Sequence, residues 1–277
     1  MSHQFFGPDN RLFGTYHPAR GKSNGPGRPS RAMVFCPPLG QEYMRSNWCL
    51  RLMAGQLARK GISVLRFDYR GIGDSTHSIV EIDSLAQWQT DIRSAIEFMQ
   101  QKSGATNVTL FGLRAGAALA ANVARDNASV HSLMLWEPIW NGAGYLNDLR
   151  SLHASMLDLW VCKMNSENNS RGEEILGTLY SRSVLDELEQ LQTVWSKIQQ
   201  PHLVFDLAQT NERYRTLDSD TMRKVEFTDD EDSWTDLQQL ETAWLRPKTT
   251  RNMVAGAVDL FNRLEKFEML TSSVVEV

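Results

Sequence analysis

The sequence predicts an α/β protein built on a mainly parallel central sheet, and three observations lead there. Short apolar runs alternate with amphipathic helical stretches from residue 32 onward. A strand-to-helix turn bracketed by two glycines stands near the middle, in LFGLRAGAALA from Leu110. The alternation breaks after Pro138 and resumes at Pro201, which marks an insertion.

Each element follows from local pattern. Two short strands open the chain and end in LFGTYHP (residues 12–18), before the Gly/Pro/Ser-rich stretch GKSNGPGRPS. AMVFCPP (32–38) is a buried strand halted by two prolines. Residues 45–60 have helical periodicity and stop at Gly61. ISVLRFDY (62–69) is the next strand. Over residues 84–102, Leu85, Trp88, Ile92, Ile96 and Met99 recur at three- and four-residue spacing, and Gly104 ends that helix. NVTLFG reads as strand, RAGAALAANVARD as helix and VHSLMLWEP as strand. Such βαβ units imply right-handed crossovers, with ligands bound outside the carboxyl ends of the strands.

Residues 141–199 offer no strand candidate and read as helices, among them 145–163 and 183–198 around the polar NSENNSRGEE. The expected organisation is a core of residues 1–140 and 200–277, with 141–199 as a helical cap over the strand ends. PHLVFDLA (201–208) and MRKVEF (222–227) return to the sheet. A closing helix over 249–267 carries Met253, Val254, Val258, Leu260, Phe261 and Leu264.

Composition narrows the function classes. The chain has 277 residues, 42% of them hydrophobic, enough for a sizeable core. No apolar run approaches the ~20 residues that span a bilayer, and the start lacks the pattern of a secretory signal. Cys36, Cys49 and Cys162 suggest neither a disulfide framework nor a zinc site, so a cytoplasmic setting without metal or cofactor is expected. A net charge of −4 gives no footprint for nucleic acid, and the basic loop 20–31 reads as a solvated connection.

The most informative residues are those of LFGLRAGAALA. Gly112 and Gly116 let the backbone crowd together, and Arg114 midway is forced to the apex above the sheet. This turn resembles the nucleophile elbow of the α/β-hydrolase superfamily, whose apex carries serine. FDYRGIGDS (67–75) resembles the D-x-x-G-x-G-x-S stretch of its serine aminopeptidase-like branch. PPLGQEYMRS (37–46), GLRAGA (112–117), LWEP (135–138) and LYSRSVLDEL (179–188) are similar to an exosortase A system-associated subgroup, encoded beside bacterial exopolysaccharide and protein-sorting genes. The resemblance implies an α/β-hydrolase fold, with a site formed by Arg114, Ala115, Leu39, Gly40 and Glu137.

The triad is where the chain departs from that pattern. A guanidinium stays protonated and cannot attack a carbonyl. No histidine follows His202, so the base expected after the last strand is missing. His131 and His202 begin strands, His3 and His17 belong to the opening strands, His77 follows the GDS turn, and His153 falls in the insertion. Glu137 is a possible acid and Glu212 a looser one. Losing nucleophile and base forfeits ~10⁶ in kcat in triad enzymes.

Arg114 then has two readings: an ion pair with Glu137, or an anion site at a helix N-terminus. The acidic run 229–232 is a possible second counter-charge. The function expected is a non-catalytic pseudo-hydrolase binding an anionic small molecule or a partner protein, with a homo-oligomer possible. The alternative is a hydrolase or acyltransferase working through Cys36, Ser75 or activated water, with Arg114 clamping the oxyanion or substrate. A purely structural role would draw on exposed aromatics, of which Trp140, Trp160 and Trp234 are candidates, core packing being the other reading of each.

Overall fold

The computed structural model describes residues 1–20, 30–159, 172–191, 200–207, 222–227, 234, 236 and 247–274. Among the described residues ten strands run β1 (Ser2–Phe6), β2 (Leu12–His17), β3 (Ala32–Cys36), β4 (Ser63–Phe67), β5 (Val108–Leu113), β6 (Val130–Trp136), β7 (Gly172–Ile175), β8 (Thr178–Ser181), β9 (His202–Leu207) and β10 (Met222–Phe227). The α-helices are α1 (Gly40–Arg59), α2 (Leu85–Ser103), α3 (Ala115–Arg125), α4 (Gly142–Leu159), α5 (Arg182–Glu189) and α6 (Pro247–Val274).

Eight strands form one sheet in the order β1-β2-β4-β3-β5-β6-β9-β10. It is parallel from β4 to β10, while β1 and β2 pair antiparallel at one edge. This is the α/β-hydrolase arrangement the sequence predicts. Helix α1 packs with α6 and α2 with α3, and the two pairs cover the sheet. Strands β3, β5 and β6 are buried almost throughout, as expected of parallel strands with helices on both faces. Trp88, Trp136, Phe35 and Phe111 are fully buried, each contributing roughly 1.5–3 kcal/mol of transfer free energy.

Helix α1 begins five residues earlier than its periodicity suggests. Glu42, Arg45 and Ser46 of its first turns are buried, so polar residues occupy the inward face and the apolar stripe starts only at Cys49. No described helix is long and apolar enough to cross a membrane.

The segment between β6 and β9 is not helical throughout, contrary to expectation. It holds α4 and α5, but β7 and β8 pair as an antiparallel hairpin between them. Leu176 and Gly177 make its two-residue turn, both at positive φ (50° and 78°), the geometry a tight hairpin demands. Asn or Asp usually precedes the glycine in such turns; a leucine there disguises the hairpin. Arg150 of α4 ties the hairpin down through Glu173, with both hydrogen bonds at 2.7 Å. Glu187 of α5 caps α2 by accepting from the backbone N–H of Leu85 at 2.7 Å. The expected helix over 183–198 ends at Glu189 as α5, and residues 192–199 lie outside the described ones.

Candidate functional site

The elbow is built from small residues because its backbones touch. A Cβ on Gly112 would run into the Cα of Ala117, and one on Gly116 into the carbonyl oxygens of Cys36 and Pro37. Helix α3 is thereby pressed onto β3 and β5. Arg114 pivots the turn at φ 52°, ψ −119°, a costly conformation for a residue with a side chain, held here by its surroundings. Its N–H donates to the carbonyl of Trp136 at 3.0 Å, and its own carbonyl accepts from Ala117 at 3.0 Å. Glu137, at the end of β6, also has positive φ (40°) and donates its N–H to Phe205 at 2.7 Å.

The guanidinium meets a partner that the sequence reading missed. Arg114 Nε donates to Glu42 Oε1 at 2.9 Å, while Glu137 stands at 4.0 Å from Nη1. Glu42 is only 1% exposed, and its other oxygen accepts from the hydroxyl of Tyr145 at 3.1 Å. Although burial opposes its charge, Arg114 is held above its ordinary pKa by the carboxylates of Glu42 and Glu137. Burial, then the charge of Glu42, pushes the phenols of Tyr145 and Tyr180 upward. Tyr180 of β8 places its hydroxyl where a side chain at Gly40 would lie, and Gly40 has φ 55°.

Trp234 completes the cluster. It is 2% exposed, so the core reading of this aromatic holds. The guanidinium carbon of Arg45 lies 4.7 Å from its ring centre and that of Arg114 6.0 Å, while Trp136 meets it edge-on. Two cations against one indole are a cation–π arrangement with aromatic support.

The other predicted site residues divide clearly. Leu39 precedes α1 and is buried; Ala115 opens α3, so its N–H belongs to the turn without intrahelical acceptors. With Arg114, Gly40 and Glu137 they gather at the carboxyl ends of β3, β5 and β6. Ser75 is tied into its turn, accepting from Phe13 N–H at 2.8 Å and donating to the Asp68 carbonyl at 2.6 Å. Cys36 is buried, and burial pushes its thiol far up, away from the reactive thiolate. His202 and His131 stand at the starts of their strands, away from the elbow end. His153 accepts from the N–H of Leu176, and His77 bonds to Arg11 and Thr76. Trp140 is half-buried. Glu212, Trp160 and the acidic run 229–232 lie outside the described residues.

With the geometry in hand, comparison with known proteins places the chain. The family model "Serine aminopeptidase, S33" matches residues 28–213. The chain belongs to the serine aminopeptidase S33 family. No functionally curated protein matches it. Among solved structures, this S33 member is similar to Est1E from Butyrivibrio proteoclasticus, at TM-score 0.59 and 13% identity over 95% of this chain and 100% of that one. It is also similar to XC6422 from Xanthomonas campestris, described as an α/β serine hydrolase without a lid (0.54, 16%, 94% of each chain). A third is an α/β serine hydrolase homologue from Coxiella burnetii (0.53, 15%, 88% and 91%). At such identities the likeness establishes the fold alone, and the apex of this member's elbow remains an arginine bonded to Glu42.

Proposed function

We propose that this S33-family protein is a non-catalytic hydrolase homologue whose cleft binds an anionic small molecule or an acidic segment of a partner protein at Arg114. One observation carries the reading. The apex that would bear the nucleophile bears a guanidinium hydrogen-bonded through Nε to Glu42, with Nη1 4.0 Å from a Glu137 oxygen. The side chain is 14% exposed, so its outer edge can accept a carboxylate or phosphate in a forked pair. Glu42 and Glu137 place two negative charges beside one positive charge, which favours modest affinity and rapid exchange over tight capture.

The insertion supports this reading by reaching the site: Tyr145 lies 5.5 Å from the Arg114 guanidinium and Tyr180 crosses Gly40. We therefore assign residues 141–199 as a cap on a core of 1–140 and 200–277. A place in a bacterial exopolysaccharide or protein-sorting system rests on sequence motifs such as GLRAGA and LYSRSVLDEL.

Calorimetric titration with a sugar acid, glucuronate, tests the binding. The expected result is binding lost in Arg114→Gln and kept in Arg125→Gln, a change at an exposed arginine. Hydrolysis of ester or thioester substrates that requires Arg114 would overturn the reading in favour of an enzyme using Arg114 as an oxyanion clamp.

A further inference from the structure

A cavity of about 240 Å³ opens between α1 and strands β2 and β4. It shares no lining residue with the Arg114 cluster. Phe13, Phe35 and Leu50 give it an apolar floor, and Arg66 and Arg51 stand in its wall.

The charges in this wall are unequally satisfied. Asp68 is hydrogen-bonded at both oxygens: one accepts from Tyr43 Oη at 2.7 Å and the other from Asp74 N–H at 3.0 Å. Arg66 is only partly satisfied. Its Nη1 donates to the neutral amide oxygen of Asn47 at 2.9 Å, and its buried Nε has no hydrogen-bond partner. It makes no ion pair with any described residue. Burial draws the Arg66 pKa down, Tyr43 and Asp68 offset this in part, and Arg51 adds to it. Arg66 is half-buried, so an incoming acceptor can reach its guanidinium from the cavity and supply the partner that the buried Nε edge lacks. At the elbow, by contrast, the guanidinium already has two carboxylates.

We propose that this groove is a second binding site, which takes a small monocarboxylate with an aromatic or aliphatic body. The carboxylate meets Arg66 and Arg51, and the apolar part lies over Phe13 and Phe35. A concave apolar surface with few convergent polar groups is the ordinary form of a small-molecule site. Asp68 and Asp74, also in the wall, select against phosphate and dicarboxylates by charge repulsion.

The test uses the full chain and benzoate, with benzamide as its uncharged isostere, followed by titration calorimetry and amide chemical-shift mapping. Benzoate should bind in this groove at least tenfold more tightly than benzamide, shifting the amides of Thr15, Tyr43 and Asn47. Arg66→Gln should reduce benzoate to the benzamide level, and Arg66→Lys should restore part of the difference. Equal binding of the two probes, no benzoate binding at millimolar concentration, or shifts confined to Arg114 and Glu137 would overturn the proposal. If Arg66→Gln does not fold, the wild-type benzoate and benzamide shift maps decide by themselves.

Discussion

Arg114 at the apex of the elbow and Glu42 in the first turn of α1 form a nearly buried ion pair, with Nε and Oε1 2.9 Å apart. The two residues are 72 positions apart in sequence. The pair links the first turn of α1, which follows the loop after β3, to the turn after β5; these two connections supply oxyanion-hole donors in catalytic α/β-hydrolases. The apex position is thereby joined electrostatically to the start of α1.

Removing one partner should cost more than removing both. Glu42→Ala leaves the Arg114 cation half-buried without its hydrogen-bonded carboxylate and should destabilise the fold by about 3–5 kcal/mol. Glu42→Leu combined with Arg114→Met should recover most of that loss, since a well-packed apolar pair replaces a desolvated one. Urea denaturation of Glu42→Leu, Arg114→Met and their double provides the cycle.

Restoring the serine should not restore an enzyme. Arg114→Ser returns one of two missing groups, and loss of the histidine alone costs ~10⁶ in kcat in a triad enzyme. Turnover of p-nitrophenyl acetate by this variant should be indistinguishable from wild type, whose sequence has no histidine after His202.

The elbow should reject even one methyl group. Gly116→Ala drives a Cβ into the carbonyl oxygens of Cys36 and Pro37, which are backbone and cannot turn aside. A loss of more than ~2 kcal/mol is expected. Gly55→Ala serves as control, because a Cβ there meets nothing within 4 Å.

Acid should act through His17. It is 5% exposed, its Nε2 is buried without a hydrogen-bond partner, and burial first, then the positive charge of Arg66, lowers its pKa to about 4 from 6.5. The unfolded chain therefore takes up this proton before the folded one does. Stability is fully present above about pH 6.5 and is lost as pH falls toward 4. Thermal unfolding of wild type and His17→Gln between pH 7 and pH 4 should show the variant losing less.

The sheet was legible because parallel strands announce themselves as apolar runs between periodic helices. The elbow was legible because Gly112 and Gly116 are required by backbone contact. The partner of Arg114 was not. Sequence neighbours along the strand ends pointed to Glu137, whereas Glu42 reaches the guanidinium from α1, whose polar inward face hid both its start and its carboxylate. The β7–β8 hairpin escaped notice because Leu176 occupies a turn position that usually advertises itself with Asn or Asp. Trp234 was open to two readings, exposed or core, until Arg45, Arg114 and Trp136 were seen around it.

The central claim is that this elbow does not carry out serine hydrolysis. Treating the native protein with a fluorophosphonate probe, and mapping any adduct by mass spectrometry, tests it most directly. The account predicts no labelled serine under conditions that label an active α/β-hydrolase to completion. Stoichiometric labelling of any serine in the cleft would contradict it.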